Sequence, residues 1–238
     1  MATSGNANYS TTRDDIIKRA LRLIGAVAQG ETPTTDQITE AAIALNGLVK
    51  AWQADGMPLW ALKQYAVPMT ASVNSYEIGA GKTVDTPKPL KVLQAWNRDT
   101  VSNVDIPMRI LTKQEYNMLG NKSSSGDPIQ IYYEPLLDHG VLHLFPTPTS
   151  TDVTNAAIYI VYQRPFEDFD ASTDNPDFPQ EWYDAITYGL ATRLAPEYGV
   201  SIADRKTLWQ EMSIIKQEAL NFGLEEGSMF FQRDARSW

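Results

Sequence analysis

His139 and His143 are the only histidines in the chain. A four-residue spacing puts two imidazoles on one face of a helix, as a metal site of that type requires. Gly140 lies between them, however, and Val141–Phe145 reads as a strand. No carboxylate pattern completes a metal site nearby, so these residues are read as surface or sheet-edge histidines. The run Gly79-Ala80-Gly81-Lys82-Thr83 resembles the end of a phosphate loop, but Ser75-Tyr76-Glu77-Ile78 supplies no first glycine. A hairpin or connecting loop explains it better. With 29 acidic residues some carboxylate pair suited to glycoside hydrolysis always exists, and the sequence selects none. Glu181 follows Pro179 at a helix start, where a negative charge suits the helix dipole. Trp52, Trp60, Trp96, Trp182 and Trp209 fall on apolar faces or beside strands, which makes packing their default role. There is no nucleophile elbow and no dinucleotide fingerprint, and the absence of cysteine excludes thiolate chemistry and cysteine-based metal sites. No catalytic, cofactor-binding or metal-ligating residue is assigned, and no cofactor is expected.

The composition is that of an ordinary globular protein: 43% hydrophobic and 21% charged over 238 residues, enough for one large or two small domains. A net charge of -9 disfavours sequence-specific DNA binding, which relies on basic patches. The simplest role for the acidity is solubility, although a negative wall would also let DNA pass without sticking. Met1–Thr12 is polar and lacks the basic start and apolar run of a signal peptide. No apolar stretch approaches the roughly 20 residues that span a bilayer, so no membrane anchor is expected.

Any function must therefore be positioned by elements at both ends of the chain. Residues 12–28 read as a first helix with Ile16, Ala20, Leu23 and Val27 on one face, capped by Thr12 and Asp15 and stopped near Gln29-Gly30. A second helix spans about 35–54, with Ile38, Ala41, Leu45, Leu48 and Trp52 as its apolar stripe and Thr34 and Gln37 as its capping box. Strand-like runs follow at Leu62–Met69, Ser75–Ile78, Lys88–Arg98, Ile129–Glu134, Val141–Phe145 and Ala156–Tyr162, with one short helix at Thr112–Leu119. Both faces of Ala156–Tyr162 are apolar, which predicts an interior strand. Pro179 opens a third long helix with Trp182, Ile186, Leu190 and Leu194 in one row. Ser201 and Asp204 start a fourth, whose stripe is Leu208, Met212, Ile215, Ala219 and Phe222.

The expected fold class is α+β. Residues 1–59 would form an N-terminal helical hairpin, 60–166 a β-rich lobe, 167–178 an acidic loop, and 179–223 a helical pair. The two helical segments would pack as a bundle around Ile16, Leu23, Leu45, Trp52, Trp182, Ile186, Leu190, Leu208, Met212 and Ile215. Residues 224–238 form a tail with aromatic side chains and no room for a core of its own, so it needs a surface to bind.

Several of these segments, in their order and spacing, resemble one known family. They are Leu23-Ile24-Gly25, Gly30-Glu31-Thr32-Pro33, Leu45-Asn46, Trp52 through Trp60, Tyr76-Glu77-Ile78-Gly79, Phe178-Pro179-Gln180-Glu181-Trp182 and Leu190-Ala191 through Tyr198-Gly199. Together they resemble the head-to-tail adaptors (connectors, packaged-DNA stabilisation proteins or tail accessory factors) of short-tailed bacteriophages. The resemblance implies a non-enzymatic virion protein of the neck, assembled in the host cytoplasm. It further implies a ring of about twelve copies with closed symmetry, docked between the portal protein and the tail nozzle or tail tube. Such a ring extends the channel through which DNA passes and helps to retain packaged DNA. The tail then becomes a portal-binding arm, with Met229, Phe230, Phe231 and Trp238 as apolar anchors and Arg233 and Arg236 beside them. Two other readings stand beside this one: a cell-wall hydrolase acting during infection, and another phage tail or baseplate component.

Overall fold

Thr12 and Asp15 close a reciprocal cap in the structure, a computed structural model that describes residues 9–55 and 59–223. The Thr12 hydroxyl accepts from the Asp15 backbone, and the Asp15 carboxylate accepts from the Thr12 N–H at 3.3 Å. This cap starts α1, Arg13–Leu23. The helix ends before the predicted stop at residue 30, because Gly25 takes φ +73° and the Ala26 N–H turns back to the Leu21 carbonyl at 3.0 Å. Thr34 and Gln37 likewise bond each other's backbone N–H and begin α2, Thr35–Asp55.

The chain divides into two compact units. The first comprises residues up to Trp52 together with those from Asp168 onward. It holds α1, α2, α4 (Tyr183–Leu194) and α5 (Ile202–Phe222). A single 3-10 turn, Gln180–Trp182, precedes α4. α4 is the most enclosed helix: Ala185, Ile186, Thr187, Gly189, Leu190, Ala191 and Leu194 are all buried. It packs on α1 and α5. Gly189 lets α2 approach, since a Cβ there would lie 2.9 Å from both Leu48 and Trp52. Trp52 meets Trp182 edge-on at 5.9 Å.

The acidic stretch after residue 167 is more anchored than an exposed loop. Phe169 and Phe178 are buried, and Asn46 of α2 exchanges two hydrogen bonds with the Phe169 backbone, at 2.9 and 3.2 Å. The acidic side chains stay outside while the aromatic ones between them reach the core.

Gln53–Glu167 forms the second unit, two four-stranded sheets around one core. Its strands are β1 (Leu62–Val67), β2 (Ser75–Ile78), β3 (Lys91–Asp99), β4 (Asp105–Pro107), β5 (Arg109–Leu111), β6 (Gln130–Pro135), β7 (Gly140–Phe145) and β8 (Ala156–Gln163), with the short helix α3 at Lys113–Asn117. One sheet runs β1-β8-β3-β4 and the other β2-β7-β6-β5. β8 is interior, as its two apolar faces predict. Ile158, Ile160 and Tyr162 enter the core, while Tyr159 on the outer face stacks on Trp96 at 5.7 Å. Tyr76, Ile78, Ile131, Leu142 and Leu144 answer from the other sheet.

Two features correct the expectations from sequence. β4 and β5 were not foreseen. Leu23, expected in the helical core, is 36% exposed, whereas Ile16, Ile17, Ala20 and Leu21 are buried. At 3.6 residues per turn Leu23 lies about a quarter turn from the centre of that stripe.

Candidate functional site

The expected chemical positions resolve into structural roles. The Gly79–Thr83 run is a tight turn: Gly81 has φ +68°, its N–H donates to Asp85 at 2.9 Å, and the Val84 N–H returns to the Glu77 carbonyl at 2.9 Å. His139 lies at the start of β7, with Nε2 3.8 Å from the Glu77 carboxylate. His143 is on the strand itself, in a three-ring cluster with Tyr116 and Tyr132, with Nε2 3.6 Å from Glu134. The two histidines meet different carboxylates and do not converge. Among the described residues no group of three His, Cys, Asp or Glu could hold a metal ion. Glu134 is also engaged by Lys113 at 3.1 Å, which holds its carboxyl below the usual range. Burial pushes the Tyr133 hydroxyl up to about 12, and that hydroxyl donates to the Pro89 carbonyl at 2.5 Å.

Of the expected helical core, Ile16, Leu45, Trp52, Trp182, Ile186 and Leu190 are buried. Leu208, Met212 and Ile215 are half-buried, and Ala219 is the one fully buried residue of α5. This helix is therefore packed along one stripe only. Ile202 (78% exposed), Trp209 (56%), Ile214 (59%) and Phe222 (74%) lie outside that stripe. Ile202 and Trp209 are seven residues apart, close to two turns, and share a face. Ile202 and Trp209 therefore form one exposed apolar pair, while Ile214 and Phe222 are exposed on other sides of the helix. Sequence periodicity placed Leu208, Met212, Ile215 and Ala219 on the packed stripe, but Phe222, expected to end it, is exposed in the last turn of the helix, beyond the reach of the neighbours that cover the rest. Met229, Phe230, Phe231, Arg233, Arg236 and Trp238 lie outside the described residues.

The class is that of a mixed α+β protein with two sheets. The family model of the SU10 adaptor protein matches residues 11–221, and the chain belongs to that family, the head-to-tail adaptors of bacteriophages. A search of characterised proteins found no match. No helix among the described residues is long and apolar enough to cross a membrane.

Proposed function

We propose that this protein forms a closed ring between the portal vertex and the tail, extending the DNA channel, helping to retain packaged DNA and offering the tail nozzle a docking platform. The observation that carries this reading is the family match over residues 11–221. The open apolar surface of α5 supports it, because a ring needs lateral contacts that a single copy leaves uncovered. The family links this chain to portal and tail components as partners. DNA would pass without base-specific contacts, in keeping with the net charge of -9. Residues 224–238 act as the portal-binding arm, with Met229, Phe230, Phe231 and Trp238 as anchors and Arg233 and Arg236 as their polar companions. Repetition of one weak arm around a ring of about twelve gives avidity without a strong single contact.

Electron microscopy of the purified chain mixed with its portal ring tests the proposal. The expected product is a second symmetric ring stacked on the portal, absent when either component is alone. Intact portal rings with nothing added would overturn it. Deletion of 228–238 is expected to prevent docking, and docking by the truncated chain would remove the arm from the account.

A further inference from the structure

α5 carries six charges, Asp204, Arg205, Lys206, Glu211, Lys216 and Glu218, and no two of opposite sign stand three or four residues apart. That spacing is the one at which helical side chains form ion pairs, so the helix forgoes every such pair with itself. The charges are sorted by side instead. Asp204, Glu211 and Glu218 recur every seven residues, close to two turns, and form one strip. Arg205, Trp209 and Lys216 follow spacings of four and seven and form another, with Ile202 and Lys206 at its outer margin. The packed stripe of Leu208, Met212, Ile215 and Ala219 runs between the two. α5 therefore has an acidic flank and a basic, partly apolar flank, one on either side of the line that holds it to its own copy. Neither is answered within that copy. Glu211 and Glu218 are exposed and, like Arg205 and Lys206, join no ion pair among the described residues. Arg205 is half-buried, and its Nε has no hydrogen-bond partner. Lys216 lies over the Trp52 ring at 4.9 Å, which holds its ammonium on the basic side of the helix.

A nucleic acid or an anionic surface would answer the basic flank and leave the acidic one unmet on the same helix. A second copy of the chain answers both. The heights along the helix agree as well. Copies related by rotation about an axis along α5 keep each residue at its own level. Arg205 is one residue from Asp204, and Lys216 is two from Glu218, about 1.5 and 3 Å of helix rise. We propose that the acidic flank of α5 in one copy seats against the basic flank of α5 in the next. Arg205 and Lys206 then face Asp204, Lys216 faces Glu218, and Trp209 is covered between these two sets. The contact is heterologous, so every copy gives one flank and takes the other. Opposite potentials along two facing strips fix the register and reject a copy that arrives the wrong way round. That the series closes on a portal rests on the ring reading above; the pairing of the flanks does not.

The test mixes four full-length chains with portal rings and follows them by sedimentation. They are the parent, a chain with the acidic flank reversed (Glu211→Lys with Glu218→Lys), a chain with the basic flank reversed (Arg205→Glu with Lys206→Glu), and a chain with all four changes. Each chain's thermal midpoint reports its folding, and Lys206→Glu alone replaces the basic pair if Arg205→Glu lowers that midpoint. Either reversal by itself sets like charges face to face and should raise the concentration needed to add a ring by about tenfold or more. The chain with all four changes should return to within about threefold of the parent. The two singly reversed chains should also associate with each other where neither self-associates, since one then offers mainly cations on both flanks and the other mainly anions. Reversed chains that add rings like the parent would overturn the proposal, as would a four-change chain that fails as either reversal does. A parent that adds no ring, beside reversed chains that still associate with each other, would sink the ring reading and keep the flank contact. A parent that adds no ring, beside reversed chains that ignore each other, would sink both.

Discussion

His143 sits in a stack of rings, 5.0 Å from Tyr116 and 5.7 Å from Tyr132 between centroids. Its spacing from His139 suggested a ligand pair to be rejected, and rejecting it needed only the glycine between them. What the residue does instead was not legible, because Tyr116 and Tyr132 come from a helix and a strand that only the fold brings to it. Burial lowers the pKa of His143, and Glu134 opposes that effect without cancelling it. The neighbouring charges are Glu134 and the Lys113 bound to it; Ser75 is its strand partner on β2. The unfolded chain then binds a proton at this site more readily than the folded one. Stability contributed here is complete above the unfolded pKa of about 6.5 and is lost as pH falls toward the lower folded value. The urea midpoint should therefore drop between about pH 7.5 and pH 5.5, and His143→Gln should flatten that part of the profile. A slope unchanged by the substitution would show that the proton goes elsewhere.

Length decides which elements the sequence announces. α2 and α5 run 21 residues each, long enough for caps and apolar stripes to repeat, and their predicted limits fall within a residue of the observed ones. β4 and β5 are three residues each and show no full period. β4 exists because Trp96–Arg98 offers a ladder across a short hairpin turn, and β5 because Gln130–Tyr132 offers one from farther along the chain, so both depend on a partner strand rather than on their own pattern. α3 is the informative exception: at five residues it is too short to persist alone, yet the sequence reading placed a short helix at Thr112–Leu119, around the observed Lys113–Asn117. Two things hold it, the reciprocal cap and the stacking of Tyr116 on Tyr132 at 4.8 Å. Thr112→Ala removes the hydroxyl that accepts from the Glu115 N–H at 3.3 Å and should cost about 1 kcal/mol. Hydrogen exchange should quicken at residues 113–118 while the amides of β8 keep their protection. Unchanged exchange in α3 would mean that the aromatic stack alone secures the helix.

At the scale of the whole molecule the question is what covers α5. A free copy leaves Ile202 and Trp209 in water on a shared face, which costs no folding stability that a neighbour could not recover on association. If this face is a contact between ring neighbours, Trp209→Ser separates folding from assembly. The side chain is 56% exposed, so its removal should shift unfolding free energy by no more than about 0.5 kcal/mol. Tryptophans at the centre of an interface commonly carry about 2 kcal/mol or more, so association should weaken about thirtyfold. The measurements are a denaturation curve for the variant alone and its co-sedimentation with portal rings over a range of concentrations. A variant that folds normally but needs far higher concentration to add its ring locates the lateral contact on α5. If residues 224–238 are the portal-binding arm proposed above, truncation at 228 should instead remove portal attachment at every concentration. A Trp209→Ser chain that assembles like its parent would return α5 to the ordinary solvated surface and place the lateral contact on another element.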